Sequence, residues 1–207
     1  MASMFRAFDF GRLPRPALVA LGAAILAVAF VTISHADSGR TVEMRDRCEP
    51  ASFNAAVGPG TCVGDGDITF PQFIARLQKT GTHNQWRFSR TNFDVRRGER
   101  INLENDGGEV HTFTKVDQFG GGFVIPLNAL SHNFTPSPAC AVYDNNGPVL
   151  NTEDPSGTTF VPVGPNATSI FVPADGQGSL DTAPLAGGMY RFECCIHPWM
   201  QAVVRVR

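Results

Sequence analysis

Near its C-terminus the chain reads Tyr190-Arg-Phe-Glu-Cys194-Cys195-Ile-His197-Pro-Trp-Met200. Cys194, His197 and Met200 offer a thiolate, an imidazole and a thioether at the spacing C-x2-H-x2-M. These are three of the four ligand types of a mononuclear copper electron-transfer site. Soft sulfur donors favour Cu(I), and imidazole suits both oxidation states. One further histidine would complete the set. Each residue also has a plainer use: Met200 in core packing, and Cys194 as half of a disulfide, even one with its neighbour Cys195.

The histidines beyond residue 36 are His83, His111, His132 and His197. His83 and His132 lie in polar, turn-like surroundings with no ligand partner at short spacing, and both are expected at the surface. His111 stands differently. Around it Val110, Thr112 and Thr114 alternate with His111, Phe113 and Lys115, which is the period of a strand. Upstream, Val95-Arg-Arg-Gly98-Glu-Arg-Ile101-Asn-Leu103-Glu-Asn105 reads as strand, turn, strand, with Gly98 in the turn. Trp86, Phe88, Phe93 and Val95 are further strand positions, as are Ser169–Val172 and Tyr190–Phe192. Gln201-Ala-Val-Val-Arg-Val-Arg207 is an alternating terminal strand.

Helical spacing occurs once. Phe70, Phe73, Ile74 and Leu77 recur at i, i+3, i+4 and i+7, with Thr69 to cap, Pro71 in the first turn and Gly81 to stop. Residues 37–67 are polar and turn-rich. Gly120 to Gly188 is a long, loop-rich stretch, of the kind that has a function or covers something. Gly (21), Pro (15) and Phe (16) are plentiful in the 207 residues, which favours an all-β domain.

The N-terminus carries Arg6, Arg12 and Arg15 before an uncharged, mostly apolar run, Ala17 to Ile33, and a small-x-small site, Ser34-His35-Ala36. This is the pattern of a secretory signal peptide, residues 1–36, cut after Ala36. The alternative is an uncleaved membrane anchor. Either places the remainder in the periplasm or otherwise outside the cytoplasm. Without residues 1–36, 14 Lys+Arg stand against 18 Asp+Glu, a formal charge of −4. No basic stripe suits nucleic acid, and no polybasic tract suits anionic lipid. In an exported chain cysteines pair. With Cys194 reserved for a metal, Cys48–Cys62 and Cys140–Cys195 is the preferred pairing, and two other connectivities stay open.

The chain resembles the cupredoxins, the small blue copper proteins, in two places. One is Val95-x2-Gly98-x2-Ile101-x-Leu103-x-Asn105 followed by Glu109-Val-His111-Thr-Phe113. The other is Gly188-Met-Tyr190-Arg-Phe192-Glu-Cys194-Cys-Ile-His197-Pro-Trp-Met200, running into a Val-rich strand. The ligand loop is most similar to the amicyanin and plastocyanin type. The resemblance implies a Greek-key β-sandwich or barrel over residues 85–207, with residues 37–84 as an N-terminal extension carrying the short helix. It implies one copper ion cycling between Cu(I) and Cu(II), held by His111, Cys194, His197 and Met200. Cys194 rather than Cys195 keeps both the C-x2-H spacing and the Tyr-x-Phe-x-Cys alternation.

Two departures stand out. The residue after the first histidine is commonly asparagine in this family and ties the two ligand loops; here it is Thr112. The stretch from His111 to Cys194 is also much longer than in the smallest members. Trp199, beside His197, is either an exposed electron-entry patch or ordinary packing.

The expected function is a one-electron carrier exchanging electrons with protein partners, a donor and an acceptor, with no small-molecule substrate. A copper oxidase or reductase would need a second site of paired histidines, and only four histidines lie beyond residue 36. A copper-delivery or resistance protein would need Met- or His-rich exchangeable sites, yet only Met44, Met189 and Met200 follow residue 36. A red or other non-blue centre would follow if Glu109 or Cys195 entered the coordination shell.

Overall fold

A computed structural model describes residues 40–135, 137–140, 142–144, 147–149 and 169–207. The expected signal peptide, residues 1–36, lies outside the described residues. The strands are β1 (Arg40–Arg45), β2 (Arg87–Phe88), β3 (Asn92–Val95), β4 (Arg100–Asn105), β5 (His111–Val116), β6 (Val142–Asp144), β7 (Gly147–Val149), β8 (Ser169–Val172), β9 (Gln177–Asp181), β10 (Gly188–Glu193) and β11 (Gln201–Val206). Three short helices accompany them: α1 (Pro50–Ala56), α2 (Phe70–Thr80) and α3 (Ile125–Leu130).

The strands form a β-sandwich. One sheet has the order β2-β1-β4-β9 and the other β3-β11-β10-β5-β8, while β6 and β7 pair by themselves. Both large sheets are mixed: β1 runs parallel to β4, and β3 parallel to β11. The inward faces follow strand alternation. Ile101, Leu103 and Asn105 of β4 are buried, as are Ala202, Val204 and Val206 of β11. Phe113 of β5 stacks on Phe192 of β10 with centroids 4.3 Å apart, and Phe88 of β2 meets Phe113 edge-on at 5.3 Å, joining the two sheets. Each such buried ring contributes roughly 2 kcal/mol through apolar burial.

Helix α2 begins and ends where its signals stand. The Thr69 backbone N–H donates to Gln72 Oε1 at 2.9 Å, half of a capping box, and Gly81 closes the helix in the left-handed conformation at φ 69°. Phe73 and Leu77 are buried, and Phe73 packs on Trp86 at 4.6 Å. Trp86 itself precedes β2 rather than lying within a strand. Gly98, at φ 88°, makes the β3–β4 turn.

Residues 37–67 contain more order than their polar, turn-rich composition suggests. Val42 and Met44 are fully buried on β1, which pairs along its length with β4, and α1 buries Phe53. Charged residues flank the two apolar positions of β1 and mask a strand of only six residues. The Cys48–Cys62 disulfide closes the loop around α1.

Strand β5 is buried on both faces: His111, Phe113 and also Thr112 and Thr114. The outer cover comes from the stretch after β5. Phe123 N–H donates to Cys195 O at 2.6 Å, and the Cys140–Cys195 disulfide joins the same stretch to the segment after β10. Gly122 sits against Cys195 so closely that any side chain there would collide with the Cys195 carbonyl. Both disulfides are the preferred pair, and Cys194 is the free cysteine among the described residues.

Candidate metal centre

Two backbone devices bring the donors together. The first is the turn after β10, where Cys194 N–H donates to Met200 O at 3.0 Å and Met200 N–H to His197 O at 2.8 Å. It folds Cys194, His197 and Met200 into one tight loop. The second is a tie to β5. Thr112 N–H points at Cys194 Sγ at 3.4 Å, and Cys195 N–H donates to Thr112 Oγ1 at 2.8 Å. The threonine hydroxyl thus joins the two ligand-bearing segments. Asn105 holds the chain entering β5 at the same end: its Nδ2 donates to Glu109 O at 2.8 Å and to Val172 O at 3.0 Å.

Cys194 Sγ lies 3.8 Å from Nδ1 of His111 and 3.8 Å from Nδ1 of His197. One donor atom from each of His111, Cys194 and His197 lies within 4.8 Å of the others, a span one ion can bridge. The three donors converge. All three residues, and Met200 with them, are at most 1% exposed.

Each imidazole has a carboxylate behind it. His111 Nε2 lies 2.9 Å from Asp46 Oδ2, and His197 Nε2 lies 3.5 Å from Glu109 Oε2. A proton held on Nε2 leaves Nδ1 as the metal-facing nitrogen, the arrangement in which an outer carboxylate orients a ligating histidine. Glu109 is in turn fixed by Trp86 Nε1–H, which donates to its Oε2 at 2.5 Å. Glu109 therefore stands on the Nε2 side of His197, away from Cys194. Cys195 is committed to its disulfide.

The electrostatics suit a thiolate. Burial raises the Cys194 pKa, but hydrogen bonds and positive charge from His111 and His197 outweigh it and hold the thiol well below its usual range. Burial lowers the His197 pKa, yet Glu109 and the Cys194 thiolate push it up to about 10. His111 is raised by Asp46 and Cys194 against the same burial. Glu193, buried beside Cys194, is pushed by burial up to about 8.

A family-model scan and a curated-protein search match nothing. Solved structures do match. The Cu(I) form of an amicyanin mutant is 13% identical over 58% of this chain and 73% of that one, with a TM-score of 0.32. A purple cupredoxin from Nitrosopumilus maritimus is 12% identical over 81% of this chain and 99% of that one, with a TM-score of 0.36. A reduced amicyanin mutant is 13% identical over 61% and 78%, with a TM-score of 0.33. At these identities and scores the likenesses add nothing to the chemistry, which is read from the donor atoms.

Of the expected ligands, His111, Cys194 and His197 converge, and Met200 is buried at the end of the same turn. His132 is exposed, as expected. His83 is not: it is 6% exposed, with its ring 4.5 Å from Trp86 and 5.7 Å from Phe73, because the chain leaving α2 tucks back under the helix. Trp199 is half-buried, packs on Phe73, and donates from Nε1 to Trp86 O at 3.2 Å. It belongs to the packing. Asp46 was not legible as a site residue, because nothing local links it to a histidine 65 positions later. A second acidic group, Asp46, Cys48 and Glu109, also lies close together, but Cys48 has no thiolate to offer while disulfide-bonded.

Proposed function

We propose that this protein is an exported type 1 copper protein that carries single electrons between redox proteins. One observation supports this most: a buried cysteine sulfur and two imidazoles, each with Nδ1 towards that sulfur and a carboxylate behind its Nε2, with donor atoms within 4.8 Å of one another. When bound there, copper would alternate between Cu(I) and Cu(II) and so take up and give back one electron. Cys194 supplies the soft donor, His111 and His197 suit both oxidation states, and the Met200 thioether is the weak axial donor favouring the reduced state. Thr112 N–H shares the sulfur's charge. The disulfide, the Thr112 tie and the buried strands hold the donors in place, which limits rearrangement during electron transfer. Burial of all four ligands supports a carrier over a delivery protein, whose metal must be handed on.

The deciding measurement is the optical and EPR spectrum of copper-loaded protein. Intense blue, purple or green colour from thiolate-to-copper charge transfer is expected, and Cys194→Ala should abolish it. A colourless protein with full copper occupancy would sink the assignment. Export is proposed with it, and the N-terminal residue of the mature protein should be Asp37.

A further inference from the structure

The two carboxylates behind the histidines have a consequence beyond orientation, and it rests on the copper reading above. The Asp46 side chain is fully buried. Besides His111 Nε2, it accepts the backbone N–H groups of Cys48 at 3.1 Å, Gly108 at 3.0 Å and Glu109 at 3.0 Å. Several N–H donors converging on one carboxylate favour its ionised form. The loop is shaped around it: a side chain at Gly107 would collide with the Asp46 carboxylate, and one at Gly108 with Val63 O. Glu109 is held by Trp86 and His197. Among the described residues no lysine or arginine forms an ion pair with either carboxylate. Two carboxylates therefore lie one imidazole away from the metal position, in a region with little water to screen a charge they carry.

We propose that Asp46 and Glu109 are positioning residues that set the reduction potential, lowering it by stabilising the more positive Cu(II) state while locking each histidine through Nε2. A buried negative charge interacts more strongly with the 2+ ion than with the 1+ ion, so each carboxylate weighs against reduction. The effect is reciprocal: losing either charge makes the oxidised state relatively less stable.

The test uses the full mature chain as wild type, Glu109→Gln and Asp46→Asn, with exposed Asp181→Asn as the charge control. Reduction potentials are read by spectroelectrochemical titration of the copper-loaded proteins. Hydrogen exchange of the histidine Nε2–H is read by NMR on the apo proteins. Each site variant should raise the Cu(I):Cu(II) ratio at fixed poise at least tenfold, about 59 mV for a one-electron couple. In the apo proteins, Glu109→Gln should speed exchange at His197 and Asp46→Asn at His111, each without affecting the other. Glu109→Gln decides alone if Asp46→Asn fails to fold. Unshifted potentials in a coloured protein, or an equal shift in Asp181→Asn, overturn this inference and leave the copper reading standing. A colourless copper-loaded wild type overturns both.

Discussion

At the scale of single residues, Thr112 shows how a substitution for the expected asparagine is accommodated. Its hydroxyl accepts Cys195 N–H inside a fully buried layer and receives a 3.0 Å contact from Thr114 Oγ1. Thr112→Val keeps the shape and leaves that N–H unpaired, so it should cost about 1–3 kcal/mol in denaturant unfolding of the apo protein. His83 gives a pH signature. Burial, helped by Arg76, lowers its pKa to about 4, whereas in the unfolded chain it titrates near 6.5. Between those values the unfolded chain binds more protons, so stability falls as pH drops from 6.5 to 4, and His83 has no effect above 6.5. The loss is on the order of 2 kcal/mol. Comparing wild type with His83→Gln by urea unfolding at pH 7 and pH 4.5 should show the variant losing less. Cys194, His197 and Met200 were legible because their spacing is local, and His111 because it stands in a strand pattern of its own. Asp46 was not, because its role depends on β1 and β5 being brought together by the fold.

At the scale of elements, legibility followed pattern length. Helix α2 has four apolar positions, a cap and a stop glycine in sequence order, so its limits could be read directly. Strands β4 and β11 alternate over six residues each. By contrast β1 has two buried apolar positions in six residues, and α1 is a helix of seven residues, about two turns, tied down by a disulfide. Their order comes from tertiary partners: β4 for β1, and Phe73 and Trp86 for Phe53 of α1. The Cys48–Cys62 bridge spans 14 positions, and replacing both cysteines by serine should cost about 3 kcal/mol in thermal or denaturant unfolding. Because Cys48 N–H is a donor to Asp46, the same variant should also bind copper more weakly in a competition titration.

At the scale of the whole molecule, the apo protein stores charge that metal binding must release. With its pKa near 10, His197 is protonated at pH 7, facing Glu109 and the Cys194 thiolate. This raised value stabilises the apo fold fully below pH 6.5, and the contribution is lost as pH rises through about 10. Ligating imidazoles must be neutral, so copper loading at pH 7 should release protons, and affinity should rise with pH. Calorimetry in two buffers of different ionisation enthalpy measures the number released. Zero protons released would contradict the charged apo site.

The neighbouring cysteines also bear on assembly under oxidising conditions. Cys194 must stay reduced while Cys195, next in the chain, is oxidised with Cys140. An oxidant arriving before the fold has separated the two side chains has no means of distinguishing them, and a bridge from Cys140 to Cys194 would remove the metal-binding thiolate until it is reduced or reshuffled. Metal present early would shield the correct sulfur. Refolding with copper(I) added before the oxidant should therefore give a larger fraction of correctly paired protein, counted by peptide mapping, than the reverse order.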